Sequence, residues 1–122
     1  MIRTSKKNKE IVGKLTRKFG FGYENHISRI AFAYSIKSEE KLDLTMLQNS
    51  SGKAYSKSVF FGDNLNLYLG LVCVKYALHS TDKDILKYVK LHIDHGLESI
   101  DKLVNEKGIQ NGFELINNLS ID

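Results

Sequence analysis

Cationic side chains near the N-terminus are the groups in this 122-residue sequence with the clearest chemical potential. Residues 1–18 hold seven basic groups and one acid, Glu10, a net charge of +6, whereas the other 104 residues carry −2. The basic groups are Arg3, Lys6, Lys7, Lys9, Lys14, Arg17 and Lys18. Lysine is a mobile point charge, which suits contacts with phosphate better than the reading of bases. The segment therefore predicts a polyanionic partner such as DNA, with a charge that serves only solubility as the alternative.

A helix over residues 6–19 would place most of these charges on one face. Ser5 precedes the segment as an N-cap, and Gly20 follows it as a stop signal. The helix periodicity groups Ile11, Val12, Leu15 and Phe19 on one side. It groups Lys6, Lys7, Lys14, Arg17 and Lys18 on the other, together with Glu10. We therefore expect the basic side to face solvent or a ligand.

Three further cations are weaker candidates for phosphate contacts. Lys53 and Lys57 follow a loop-like stretch, and Lys83 shares a predicted helix face with Lys87 and Lys90. A solvated helix face accounts for the Lys83 group equally well.

The sequence predicts neither an enzyme nor a metal or other cofactor. His92 and His95 lie three residues apart, but Asp94 points to nearly the opposite side of the same helix. Zinc requires three or four convergent ligands, so an ordinary helix with polar positions is favoured. Tyr55 and Lys57 lie close together, but no second catalytic group follows them at a meaningful spacing.

The remaining pattern predicts one all-α domain over residues 1–122, with four to five helices. A second helix is expected over 24–37, and a fourth over 82–105, opened by a capping-box-like pair at Thr81 and Asp84. The third, over 64–79, has almost no polar face, which predicts a central position and burial against another subunit. A short last helix would follow Gly108.

The extended Ile2-Arg3-Thr4 before a helix, a glycine turn and a second helix permits another interpretation of the N-terminus. Ribbon-helix-helix proteins open in this way, and their strands pair between two chains to enter the major groove.

Compartment signals point to the cytoplasm. No apolar run approaches the ~20 residues that a membrane span requires, and no apolar stretch follows the basic N-terminus as in a secretory signal. The single cysteine, Cys73, fits a structural thiol in a reducing compartment.

Several strings in the sequence resemble the DndE family of DNA sulfur modification proteins. They include residues 3–7, 24–35, 41–44, 51–53, 55–57, 61–63, 81–85 and 92–98, in order and without large gaps. The resemblance runs from residue 3 to about 98 and does not include the tail after Gly108.

This resemblance implies a small DNA-binding component of the bacterial or archaeal machinery that replaces a non-bridging phosphate oxygen of DNA with sulfur. It implies association with nicked duplex, a homotetramer, and partners among the sulfur-transfer proteins of that machinery. The basic residues inside the matching strings are Arg3, Lys6, Lys7, Lys53, Lys57 and Lys83. Lys14, Arg17 and Lys18 are predicted from the helical wheel. Two other functions stay open: a ribbon-helix-helix repressor, and a structural adaptor of the sulfur-transfer complex.

Overall fold

A computed structural model describes residues 1–119 and confirms the predicted all-α class. The helices are α1 (Lys6–Phe19), α2 (Glu24–Lys37), α3 (Lys57–Phe61), α4 (Leu65–Tyr76), α5 (Ile85–Lys107) and α6 (Gly112–Leu119). Two short strands, β1 (Ile2–Arg3) and β2 (Ala54–Tyr55), and 3-10 turns at Leu44–Met46 and Gly62–Asn64 complete the secondary structure. Residues 120–122 of the predicted single domain lie outside the described part.

Helix α5 is the central element of the core. Its residues Val89, Ile93, Leu97 and Ile100 are fully buried. It packs most extensively against α2, at a crossing where Gly96 meets the backbone of Ala31. A Cβ atom at position 96 would lie 2.0 Å from the Ala31 carbonyl oxygen. Only glycine permits this approach, so α2 and α5 form a closely packed pair.

Helix α1 has the predicted boundaries and the predicted orientation. The Ser5 hydroxyl accepts a hydrogen bond from the Asn8 N–H, and Gly20 ends the helix in the left-handed conformation at φ 65°. Val12 and Leu15 are completely buried, which anchors the apolar side of the helix in the core. The opposite, basic side consequently faces outward.

The N-terminal strand pairs within its own chain. In the antiparallel β1–β2 pair, Ile2 lies opposite Tyr55 and Arg3 opposite Ala54. Both Ile2 and Tyr55 are buried, so the pair belongs to the core. This corrects the ribbon-helix-helix interpretation, which requires the strand to pair with a second chain.

The central position predicted for the third helix is wrong for the single chain. Within α4 only Val72 is buried, while Leu67 and Val74 are 59% and 85% exposed. The helix packs with one side only, where Tyr68 contacts the rings of Phe60 and Phe61. The residues of α4 are apolar on all sides of the helix, so its sequence did not show which side would be buried.

The predicted start of the fourth helix is also wrong. Helix α5 begins at Ile85, and its N-cap Asp84 makes no side-chain capping bond. The Thr81 N–H donates instead to His79 Nδ1, so the expected capping pair does not form. The stop at Gly108 and the short last helix are confirmed. Among residues 1–119, no helix has both the length and the apolar character needed to cross a membrane.

Candidate nucleic-acid interface

The outward side of α1 forms a cationic groove, which we call the α1 groove. It has a volume of about 740 Å³. It is lined by Lys6, Lys9, Glu10, Gly13, Lys14, Arg17, Glu24 and Ser51. Lys9 belongs to the basic N-terminal segment but was not among the predicted contacts; in the structure it lines the α1 groove.

Two of the predicted DNA contacts on α1 are already paired with acids of α5. The Lys7 ammonium lies 2.9 Å from Glu98 Oε1, and Lys14 forms an ion pair with Asp101. The hydrogen bond to Glu98 raises the pKa of Lys7. A phosphate would therefore have to compete with a carboxylate at both positions, which lowers their expected contribution to binding.

The other α1 cations are free to meet an anion. All four are exposed, and none forms a salt bridge within residues 1–119. Lys6, Lys9 and Arg17 line the groove, whereas Lys18 lies on α1 outside its lining. A Cβ atom at Gly13 would lie 3.1 Å from Arg17 Nη1. The missing side chain at Gly13 thus leaves room for the guanidinium over the helix backbone.

Of the predicted DNA contacts outside α1, one lies beside the α1 groove and the others lie away from its lining. Lys53 pairs with Glu24 Oε1 at 3.4 Å, and Glu24 lines the α1 groove, so Lys53 adjoins this groove. Lys57 begins α3 and Lys83 precedes α5; both are exposed, but neither lines the α1 groove. Arg3 is exposed on β1 and likewise does not line it.

A buried carboxylate fixes the start of α1 against α5. Asp94 Oδ1 accepts hydrogen bonds from the Ser5 N–H at 3.0 Å and from Asn8 Nδ2 at 2.8 Å. Its Oδ2 lies 2.7 Å from the Lys90 ammonium. Asp94 was predicted to be an ordinary polar position of the helix, because nothing in the sequence links residues 5 and 94. The contact positions the basic helix on the core.

Glu98 extends this anchor toward the surface. Its carboxylate accepts hydrogen bonds from Asn8, Gln48 and Lys7. Burial by itself would raise the pKa of Glu98, but these three donors outweigh it and hold the pKa below its ordinary value. Glu98 is therefore charged at neutral pH and keeps Lys7 at the α5 side of α1.

His92 is a buried structural histidine. The Tyr76 hydroxyl accepts a hydrogen bond from the Leu42 N–H at 2.9 Å and shares a second hydrogen bond with His92 Nε2 at 2.6 Å. On the other side of the ring, Ser35 Oγ shares hydrogen bonds with His92 Nδ1 at 2.7 Å and with His95 Nδ1 at 2.8 Å. Burial lowers the pKa of His92 to about 4.

The polar residues of α5 do not converge on a metal position. His92 bonds to Ser35 and Tyr76, whereas Asp94 bonds to the start of α1. Across residues 1–119, no three His, Cys, Asp or Glu side chains come together as ligands for an ion.

Comparisons with known proteins give the family of the chain. The family model described as DNA sulphur modification protein DndE matches residues 1–108. The fold matches the crystal structure of DndE from Escherichia coli B7A, involved in DNA phosphorothioation modification, with a TM-score of 0.67 and 21% sequence identity, covering 81% of this chain and 93% of that one. No curated protein matches the sequence significantly. Because the family model spans nearly the whole described chain and ends at the Gly108 stop of α5, the chain belongs to the DndE family of DNA sulphur modification proteins.

Proposed function

We propose that this protein is a non-catalytic DNA-binding component of a DNA phosphorothioation system and holds the DNA backbone on the α1 groove. The observation that carries the proposal is the set of four α1 cations that have no acidic partner within residues 1–119. They are Lys6, Lys9, Arg17 and Lys18.

The dimensions of this face suit a duplex backbone. Lys6 and Arg17, which both line the groove, are 11 residues apart, about 17 Å along a helix at ~1.5 Å per residue. Duplex DNA carries one charge per ~1.7 Å of its axis, so each cation on the face can reach a phosphate. Lysine and arginine that contact only phosphates bind without reading sequence. We therefore expect binding that depends on salt and little on base composition.

The proposed role of the protein in phosphorothioation rests on its family membership and on the name of the matched Escherichia coli protein. In this role the protein presents DNA to the sulfur-transfer proteins and needs no catalytic group or cofactor of its own. A nick would favour binding, because an interrupted duplex bends across the face at a lower cost than an intact one.

We further propose that the protein acts as a homo-oligomer, with a homotetramer as the expected state. The exposed apolar residues of α4, including Leu67 and Val74, form a surface that a second copy would cover. A homo-oligomer with closed symmetry would carry one α1 groove on each subunit, which would extend the surface that contacts DNA. The pairing of β1 within the chain argues against the ribbon-helix-helix repressor. A pure adaptor would lack salt-sensitive DNA affinity.

A charge-reversal experiment tests the DNA site. The triple variant Lys6→Glu, Arg17→Glu, Lys18→Glu should lose binding to intact and nicked duplex in fluorescence anisotropy, with an unchanged helical spectrum. The matched control Lys57→Glu, Lys83→Glu, Lys107→Glu changes the net charge equally and should retain most of the affinity. If the control triple loses binding while the α1 triple keeps it, the DNA site lies outside α1 and the proposal is overturned.

A further inference from the structure

We propose that a second groove, beside the α1 groove, is a subsite for a nucleobase that has left the base stack. We call it the Tyr23 groove; it has a volume of about 340 Å³. It is lined by Gly22, Tyr23, Glu24, Asn25, Lys53, Ala54, Tyr55, Ser56 and Val59. The inference rests on the proposed DNA binding and adds a base contact to it.

The aromatic side chain in this groove is exposed and held in place. Tyr23 is 73% exposed, although it lies in the short turn between two long helices that bury most of their apolar residues. Its ring contacts the His26 ring edge-on, with centroids 5.9 Å apart and planes at 67°. That contact restricts the ring, so a stacking partner would lose less conformational freedom on binding. Val59, 51% exposed, adds an apolar wall.

The polar groups in the groove match a nucleobase. Asn25 offers an amide that can both donate and accept, and within residues 1–119 this amide has no hydrogen-bond partner. The Lys53 ammonium lies 5.9 Å from the centroid of the Tyr55 ring, on the same groove wall. A planar ring with polar edges can use the aromatic surface and the Asn25 amide together, whereas an aliphatic ligand would leave this amide without a partner.

The two grooves share one lining residue. Glu24 lines both, and its ion pair with Lys53 at 3.4 Å stands on their border. A DNA strand whose phosphates lie on Lys6 and Arg17 would therefore pass the entrance of the Tyr23 groove. Paired bases are enclosed in the stack and cannot enter it. The ligand is consequently a base freed by a gap or a single-stranded stretch.

Binding to two DNA forms tests the subsite. The probes are an intact duplex and a duplex with a three-nucleotide single-stranded gap that carries 2-aminopurine. Stacking of a base on an exposed aromatic contributes about 5- to 150-fold in affinity. Tyr23→Ala should weaken binding to the gapped duplex about tenfold, leave intact-duplex binding unchanged, and abolish the 2-aminopurine fluorescence change seen with wild type. Tyr23→Phe keeps the ring and should behave as wild type.

A second exposed aromatic provides the control. Phe113→Ala removes a ring that is 78% exposed on α6 and should change neither affinity. The stacking subsite is refuted if Tyr23→Ala binds the gapped duplex with wild-type affinity, or if Tyr23→Phe loses as much affinity as Tyr23→Ala. The α1 site would stand in both cases. If wild type binds neither DNA, the proposed function itself fails.

Discussion

Replacing Asp94 with alanine should destabilise the protein by about 3–5 kcal/mol, because the largely buried Lys90 ammonium loses its carboxylate partner and keeps only the neutral Asn49 carbonyl oxygen. Asp94 is only 2% exposed, and the Lys90 side chain 2.7 Å from it is 11% exposed. At the same time the Ser5 N–H loses its acceptor, and the Asn8 amide loses one acceptor while it keeps Glu98 Oε2. Each buried donor left unsatisfied costs about 1–3 kcal/mol, and these losses overlap with the charge effect.

Urea unfolding at fixed protein concentration measures this loss. Asp94→Asn keeps an acceptor oxygen and should cost less than alanine. The double variant Asp94→Ala, Lys90→Met removes the stranded charge, so it should be more stable than Asp94→Ala alone. Asp63→Ala, at an exposed acid, should change stability by no more than about 0.5 kcal/mol. A cost below about 1 kcal/mol for Asp94→Ala would refute the anchoring role of the carboxylate.

Four other outcomes follow from the packing and the buried groups. His92 has a pKa of about 4 in the folded protein, against about 6.5 in the unfolded chain. As the pH falls from 6.5 to 4, His92 takes up its proton mainly in the unfolded chain, which should lower the free energy of unfolding by about 3 kcal/mol. His92→Gln should lack this part of the pH dependence in urea unfolding. Gly96→Ala should prevent stable folding, because its Cβ would meet the Ala31 carbonyl, whereas Gly70→Ala, with open space around it, should be neutral or stabilising by up to about 1 kcal/mol in the same assay. Val74→Glu should convert the expected oligomer to monomer in sedimentation, and a wild-type monomer at micromolar concentration would contradict the oligomer proposal. Metal analysis of the purified protein should find no stoichiometric zinc or iron.

The elements that depend on local sequence could be predicted closely. The Ser5 cap, the boundaries of α1 and α2, and the stops at Gly20 and Gly108 follow from capping residues and helix periodicity, which act over a few residues. The position of α4 could not be predicted, since a helix that is apolar all round does not indicate which side packs. The pairing of β1 with β2 joins segments about 50 residues apart.

The basic side of α1 could be predicted, but its effective charge could not. Lys7 and Lys14 have acidic partners about 90 residues away on α5, so only the packing of α1 against α5 shows that they are neutralised. The same limit applies to Asp94, which looks like a surface residue in the sequence and is buried under α1. Tyr23 carried no sequence signal, because its exposure results from the turn in which it lies.

The salt dependence of duplex binding shows whether the free cations of α1 hold the DNA backbone. Four free cations on each α1 face predict that log K falls with log salt at a slope of about −3 to −4 per face, from the release of ~0.9 counterion per phosphate neutralised. Alanine at Lys6, Lys9, Arg17 or Lys18 should each reduce the slope by about one. Alanine at Lys7 or Lys14 should reduce it less, because each already has a carboxylate partner. An affinity that salt does not change, or a slope that survives all four substitutions in a folded variant, would contradict the α1 groove as the DNA site.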